Sequence, residues 1–189
     1  QSIFEAQQQF FRQEMQGSPV NRRIKHLKRL KKWILSHQQE IRDAAFADFR
    51  KPAHEVDATE ILPVIHEIRH CISHLPAWSR PKRVATPISL YSTSTKINHE
   101  PKGVSLILAP WNFPFQLTVG PLVSAIAAGC TAIVKPSEFS EATTALIERM
   151  AKELFDEREV VVLTGDYKVA QHLTALPFDH IFFTGSPQV

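Results

Sequence analysis

Apolar positions recur through the first part of the chain at the spacing of helices. Ile3, Phe4, Phe10, Phe11 and Met15 fall on one stripe, because a helix returns to the same face every three to four residues. Gly17, Ser18 and Pro19 end that element. A second helix spans about 21–36, with Ile24, Leu27, Leu30, Ile34 and Leu35 as its apolar stripe, and a shorter one around Ile41, Ala45 and Phe49 stops near Lys51 and Pro52. A longer helix carries Ile61, Ile65, Ile68, Ile72 and Leu75. Pro63 is expected to kink it, since proline has no amide proton to donate, and Pro76 to close it. Residues 76–87, with Pro76, Pro81 and Pro87 among Arg80, Lys82 and Arg83, read as an exposed connector. Residues 88–98, rich in Ser, Thr, Ile and Tyr, suit an extended segment or hairpin.

From Lys102 onward short apolar runs alternate with helical stretches: 103–108, 114–128, 131–135, 140–154, 160–163, 168–173 and 180–184. The order reads β-α-β-α-β-α-β. Strands joined by single helices need crossover connections, so the sheet is expected to be parallel and covered on both faces, as in dinucleotide-binding folds. Pro114 suits the first turn of its helix, and Ser140 with Glu141 the start of the next. The fold class is therefore α/β. A helical amino-terminal part (1–87) is followed by an extended or hairpin segment (88–100), suited to pairing between subunits, and by an incomplete Rossmann-like core (101–189).

Composition narrows the class further. A chain of 189 residues, 43% hydrophobic and 22% charged, can bury the core of an ordinary globular protein. Its apolar runs, such as 104–110, fall far short of the ~20 residues of a membrane span, and the polar stretch 1–9 lacks a secretory pattern. A cytoplasmic setting is expected. Cys71 and Cys130 read as buried thiols, not as a disulfide framework. Seven basic residues crowd into Arg22 to Lys32, but the apolar stripe between them favours a solvated helix face over a nucleic-acid surface.

Ligands of doubly wound sheets bind beyond the carboxyl ends of the strands, so the segments there carry the most information. They are Ala109-Pro110-Trp111-Asn112-Phe113-Pro114-Phe115, then Lys135-Pro136-Ser137-Glu138, then Phe183-Thr184-Gly185-Ser186. The first holds no glycine, which argues against the G-x-G-x-x-G grip on a pyrophosphate. A carboxylate just past the second strand can accept both hydroxyl protons of a ribose. Read from the residues alone, the second segment also fits a turn with solvated charges, and Asn112 a turn residue bonded to its own backbone.

These three segments in this order and spacing, together with the run 129–138, resemble the aldehyde dehydrogenase superfamily. The wording around P-W-N-F-P-F-Q-L is most similar to the branch acting on medium-chain, fatty and aromatic aldehydes. The resemblance implies an intact protein that oxidises an aldehyde to a carboxylic acid with NAD, or NADP, through a cysteine thiohemiacetal and thioester. It implies that the Asn112 amide stabilises the oxyanion, and that Lys135 and Glu138 bind the adenosine ribose, with Glu138 favouring NAD and Lys135 leaving NADP open. Gly185 and Ser186 would open a helix whose amino end faces the pyrophosphate, and Pro110, Trp111, Gly165 and Phe183 would also contact the cofactor. The family's cysteine nucleophile and glutamate base follow the F-T-G-S segment, and its second glycine lies five positions past Gly185. All three would fall beyond Val189, so the chain is expected to be a truncated piece, inactive alone. Cys130 leads into a buried strand and is not expected to replace the nucleophile. A homo-oligomer is expected of the intact protein, with no metal.

Two other classes compete. His66-Glu67-Ile68-Arg69-His70 has the H-E-x-x-H form of a zinc protease, and His74 adds an imidazole one turn on. The apolar stripe through Ile61, Ile65, Ile68, Ile72 and Leu75 turns these histidines towards solvent, and no further ligand stands at the expected spacing. The other class is a non-catalytic binding module that keeps the truncated fold.

Overall fold

The computed structural model describes residues 2–186. Its helical half contains α1 (Ser2–Phe10), a π-helical turn (Phe11–Met15), α2 (Val20–Ser36), α3 (Gln38–Phe49), α4 (Ala53–Val56), a second π-helical turn (Asp57–Ile61) and α5 (Leu62–Trp78). In α2 the buried side chains are Leu27, Leu30, Trp33 and Ile34. Leu35, expected in that stripe, is 44% exposed, because the large Trp33 ring takes the inward position.

The helical bonding changes just before Pro63, and Pro76 does not act as expected. Before Pro63 the backbone opens into a π turn, in which the Leu62 amide donates to Asp57 O, one residue farther back than an α-helical bond. Pro63 then falls in the first turn of α5, where a missing donor costs little. Pro76 does not close α5, which continues to Trp78; it sits exposed in the last turn, where solvent can reach the carbonyl left without a partner.

The stretch expected to be a connector supplies a strand. β1 (Lys82–Val84) pairs antiparallel with β2 (Thr95–Ile97), Lys82 opposite Ile97, and a 3-10 turn (Ile88–Leu90) lies between them. The hairpin therefore begins before the expected segment at 88, its first strand hidden in a run of Pro and Arg. Ile88 and Tyr91 stand out from it, 93% and 87% exposed.

The second sheet comprises β3 (Val104–Leu108), β4 (Thr131–Lys135), β5 (Val160–Val162) and β6 (His180–Phe183). All are parallel, in the order β5-β4-β3-β6. The connecting helices are α6 (Gln116–Ala128), α7 (Glu141–Leu154) and α8 (Tyr167–Thr174). Ile107, Ala132, Val134 and Val160 face the core that Leu27, Ile68, Leu122 and Ile147 complete, so the helical half and the sheet pack as one body. Val104, Leu106, Leu108 and Ile133 point the other way, against Phe4 and Leu173. The strand alternation thus divides β3 and β4 between two cores. Cover on both faces, expected for the whole sheet, holds for β3 and β4; β6 lies at the edge with all four residues exposed. Among the described residues no helix is long and apolar enough to cross a membrane.

Candidate active site

Parallel strands end on the same rim, and three backbone hydrogen bonds tie those ends together. Ala109 N donates to Lys135 O at 3.1 Å, Leu163 N to Val134 O at 2.8 Å, and Thr184 N to Leu108 O at 3.1 Å. The loop carrying Pro110, Trp111 and Asn112 therefore leaves the rim between the turn carrying Lys135 and Glu138 and the segment carrying Phe183, Gly185 and Ser186. Gly165 follows β5, at the far side of β4. The chain switches faces between β3 and β6: α6, leaving β3, packs on one side of the sheet and α8, entering β6, on the other. A crevice for a ligand opens at such a switch point.

In the β3 loop Trp111 is 53% exposed and its ring lies 5.9 Å from that of Phe49. Asn112 is exposed, and among the described residues its side-chain amide makes no hydrogen bond, so it is not spent on its own backbone. Its carbonyl is held from outside: Lys51 Nζ donates to Asn112 O at 2.9 Å and to Glu60 Oε1 at 2.7 Å, and lies 4.1 Å from the centre of the Phe113 ring. Glu60 is fully buried, and its Oε2 accepts the amides of Phe115 at 2.9 Å and Gln116 at 3.0 Å. These bonds move the start of α6 to Gln116, two residues after the expected Pro114. Neither Lys51 nor Glu60 was singled out in the sequence. The available signal was the place of Glu60, four residues from each of two buried valines, Val56 and Val64.

After β4 the turn is held by bonds among its own residues, and the helix beyond it by a residue of α3. Lys135, only 5% exposed, donates from Nζ to Glu138 Oε2 at 2.8 Å. That bond holds the Glu138 carboxyl below its ordinary range, against the opposing pull of partial burial. The Ser137 carbonyl accepts the hydroxyls of Ser140 and Thr144. Ser140, expected to cap α7 with its side chain, turns back to Ser137, and Asp48 of α3 caps the helix instead. Asp48 accepts from the amides of Ala142 and Thr143, each at 2.9 Å, and from the Thr143 hydroxyl at 2.7 Å.

Gly165 has φ +143°, and a Cβ there would stand 2.5 Å from Val169 Cγ2, so close packing on α8 requires glycine at this turn. A Cβ at Gly185 would collide with the Phe183 ring, which is 45% exposed at the rim. The helix expected to open at Gly185 and Ser186 lies outside the described residues.

The sequence profile of the Aldehyde dehydrogenase family matches residues 1–189. The chain belongs to the aldehyde dehydrogenase family. It is 40% identical over 189 residues to a putative aldehyde dehydrogenase, AldX, of Bacillus subtilis, covering 100% of this chain and 42% of that protein. It is 42% identical to a 4,4'-diapolycopene-4,4'-dial dehydrogenase of Cytobacillus firmus, covering 91% of this chain and 38% of that one. The solved substrate-bound structure of Staphylococcus aureus AldH superposes with a TM-score of 0.93 at 40% identity, covering 98% of this chain and 40% of that structure. The chain thus spans about two fifths of the length of these relatives.

In this aldehyde dehydrogenase chain both thiols are free and buried. Cys130 is 6% exposed at the start of β4, on the edge away from the rim. Burial, with Glu67 alongside, pushes the Cys71 thiol up to about 12, so it stays protonated. His66, His70 and His74 are exposed on α5, and the described residues contain no cluster of three potential ligands for a metal ion.

Proposed function

We propose that the intact protein oxidises an aldehyde to its carboxylate with NAD or NADP as acceptor: aldehyde, water and NAD(P)+ give carboxylate, NAD(P)H and protons. The observation that carries this reading is the convergence of the β3, β4 and β6 segments on one rim, at the switch point of the sheet. The donor set there suits a dinucleotide. Lys135 is buried along its stem with its ammonium at the rim, and the Glu138 carboxylate beside it, kept ionised, is an acceptor for ribose hydroxyls. A 2′-phosphate would meet the Glu138 charge, so NAD is the favoured form, and the Lys135 ammonium can offset that repulsion enough for NADP to enter.

When bound, the nicotinamide accepts the hydride. Around it Pro110, Trp111 and Phe183 offer apolar surface, Gly165 keeps the β5 turn close to α8, and the backbone at Gly185 and Ser186 faces the pyrophosphate. Asn112 directs its uncommitted amide at the aldehyde oxygen as negative charge develops there, a neutral donor placed in advance of need. Relatives named as a 4,4'-diapolycopene-4,4'-dial dehydrogenase and, at 38% identity, as a probable coniferyl aldehyde dehydrogenase support an extended apolar or aromatic substrate. The protruding hairpin of β1 and β2 supports assembly with further copies of the chain.

The test uses the full-length protein with aliphatic, aromatic and polyene aldehydes, following reduced nicotinamide by its absorbance. Aldehyde-dependent reduction is expected, and Asn112→Ala should lower kcat by about a hundredfold while NAD+ affinity holds. Absence of reduction with every aldehyde class would overturn the proposal.

A further inference from the structure

Lys51 and Glu60 lie in the helical half, 61 and 55 residues in sequence from the loop atoms they bind. We infer that this pair, Glu60 buried and Lys51 partly so, is the positioning element for Asn112, gripping the β3 loop on both sides so that the Asn112 amide is presented at one fixed place. The inference rests on the reading of Asn112 given above.

An ammonium has three protons, and Lys51 has three acceptors around it: Glu60 Oε1, Asn112 O and the face of the Phe113 ring. The second oxygen of Glu60 takes the amides of Phe115 and Gln116. One pair of opposite charges thus holds residues 112 and 113 from one end and residues 115 and 116 from the other. Capping α6 would not by itself call for such a pair. Asp48 caps α7 at the same rim and, among the described residues, has no cation bonded to it. Nor does stability from the pairing of the two charges call for it, because apolar residues of similar volume commonly replace an ion pair at no loss, although here they would also strand the Phe115 and Gln116 amides. What an apolar pair could not supply is a directed bond to the carbonyl of Asn112, which orients the peptide from which the amide side chain projects. Placement of that kind matters for rate, since a displacement of about 1 Å can lower turnover by about a hundredfold.

The experiment compares the full-length parent with Lys51→Met, Lys51→Arg and the double variant Lys51→Met/Glu60→Gln. The double variant leaves no unpaired charge and keeps an acceptor for the α6 amides, so it carries the test if Lys51→Met alone fails to fold. The folded double variant should lose about tenfold or more in kcat, with NAD+ Kd within about twofold of the parent, and Lys51→Arg should recover part of the loss. A merely structural pair would lower the thermal midpoint and leave kcat per folded molecule unchanged, and that result overturns the inference alone. A parent that reduces no NAD(P)+ with any aldehyde overturns the reading of Asn112, and this inference with it.

Discussion

The loops after β3 and β4 stand side by side on the rim and are held by opposite means. Within the β4 turn the bonds are local, Lys135 reaching a carboxylate three residues on and Ser137 gathering two hydroxyls within seven residues, and only the helix that follows is capped from outside, by Asp48. The β3 loop is tied by groups more than fifty residues upstream, one of them a carboxylate with no exposed surface. A turn fixed by its own side chains keeps its shape wherever the chain puts it. A loop fixed from another element takes its shape from how well the two elements are docked, which makes the site around Asn112 a readout of the packing of α3 to α5 against α6.

Substitutions can break this contrast in steps. Glu60→Leu strands the Lys51 ammonium and two amides, so unfolding in urea should show a loss of about 3–5 kcal/mol. A loss below about 1 kcal/mol would mean that the β3 loop, like the β4 turn, holds itself. Asp48→Ala removes the acceptor for two amides and a hydroxyl at the start of α7, and the same measurement should give a loss of about 1–2 kcal/mol. Glu138→Gln should cost at most about 0.5 kcal/mol at neutral pH, because solvent screens the partly exposed pair. The folded Glu138 carboxyl is held below its ordinary value of 4.5, so its contribution is complete above that pH and is lost as pH falls through the lower folded value. Denaturation curves of parent and variant should therefore merge in acid. In the full-length protein the same variant should narrow the preference for NAD+ over NADP+, measured as a ratio of Kd values.

The contrast also explains what could be read from the sequence. The apolar runs of β3 and β4, the apolar stretch of α6 and the periodic stripe of α7 announce themselves locally, and parallel strands then bring Asn112, Lys135, Glu138 and Gly185 to one rim by topology alone. The i,i+3 spacing of Lys135 and Glu138 is visible in four letters. Lys51 was legible only as a helix stop before Pro52, and Glu60 as one more polar residue, because their meaning lies in contacts across the chain. Asp48 was passed over for the same reason: a serine at the helix start is the usual cap, and nothing nearby in sequence reveals that a carboxylate from α3 has taken its place. β1 was missed because Pro and Arg around it signal a connector more strongly than three residues can signal a strand.

The π turn at Asp57–Ile61 has a consequence for how this segment can vary. Each residue of a helix advances the chain by about 100°, so the extra residue in that turn sets the angle at which Glu60 meets Phe115. Losing one codon there would swing the carboxylate out of line while leaving hydrophobic content and helix length almost untouched. Deletions, more than replacements, are the changes this stretch of chain can least absorb.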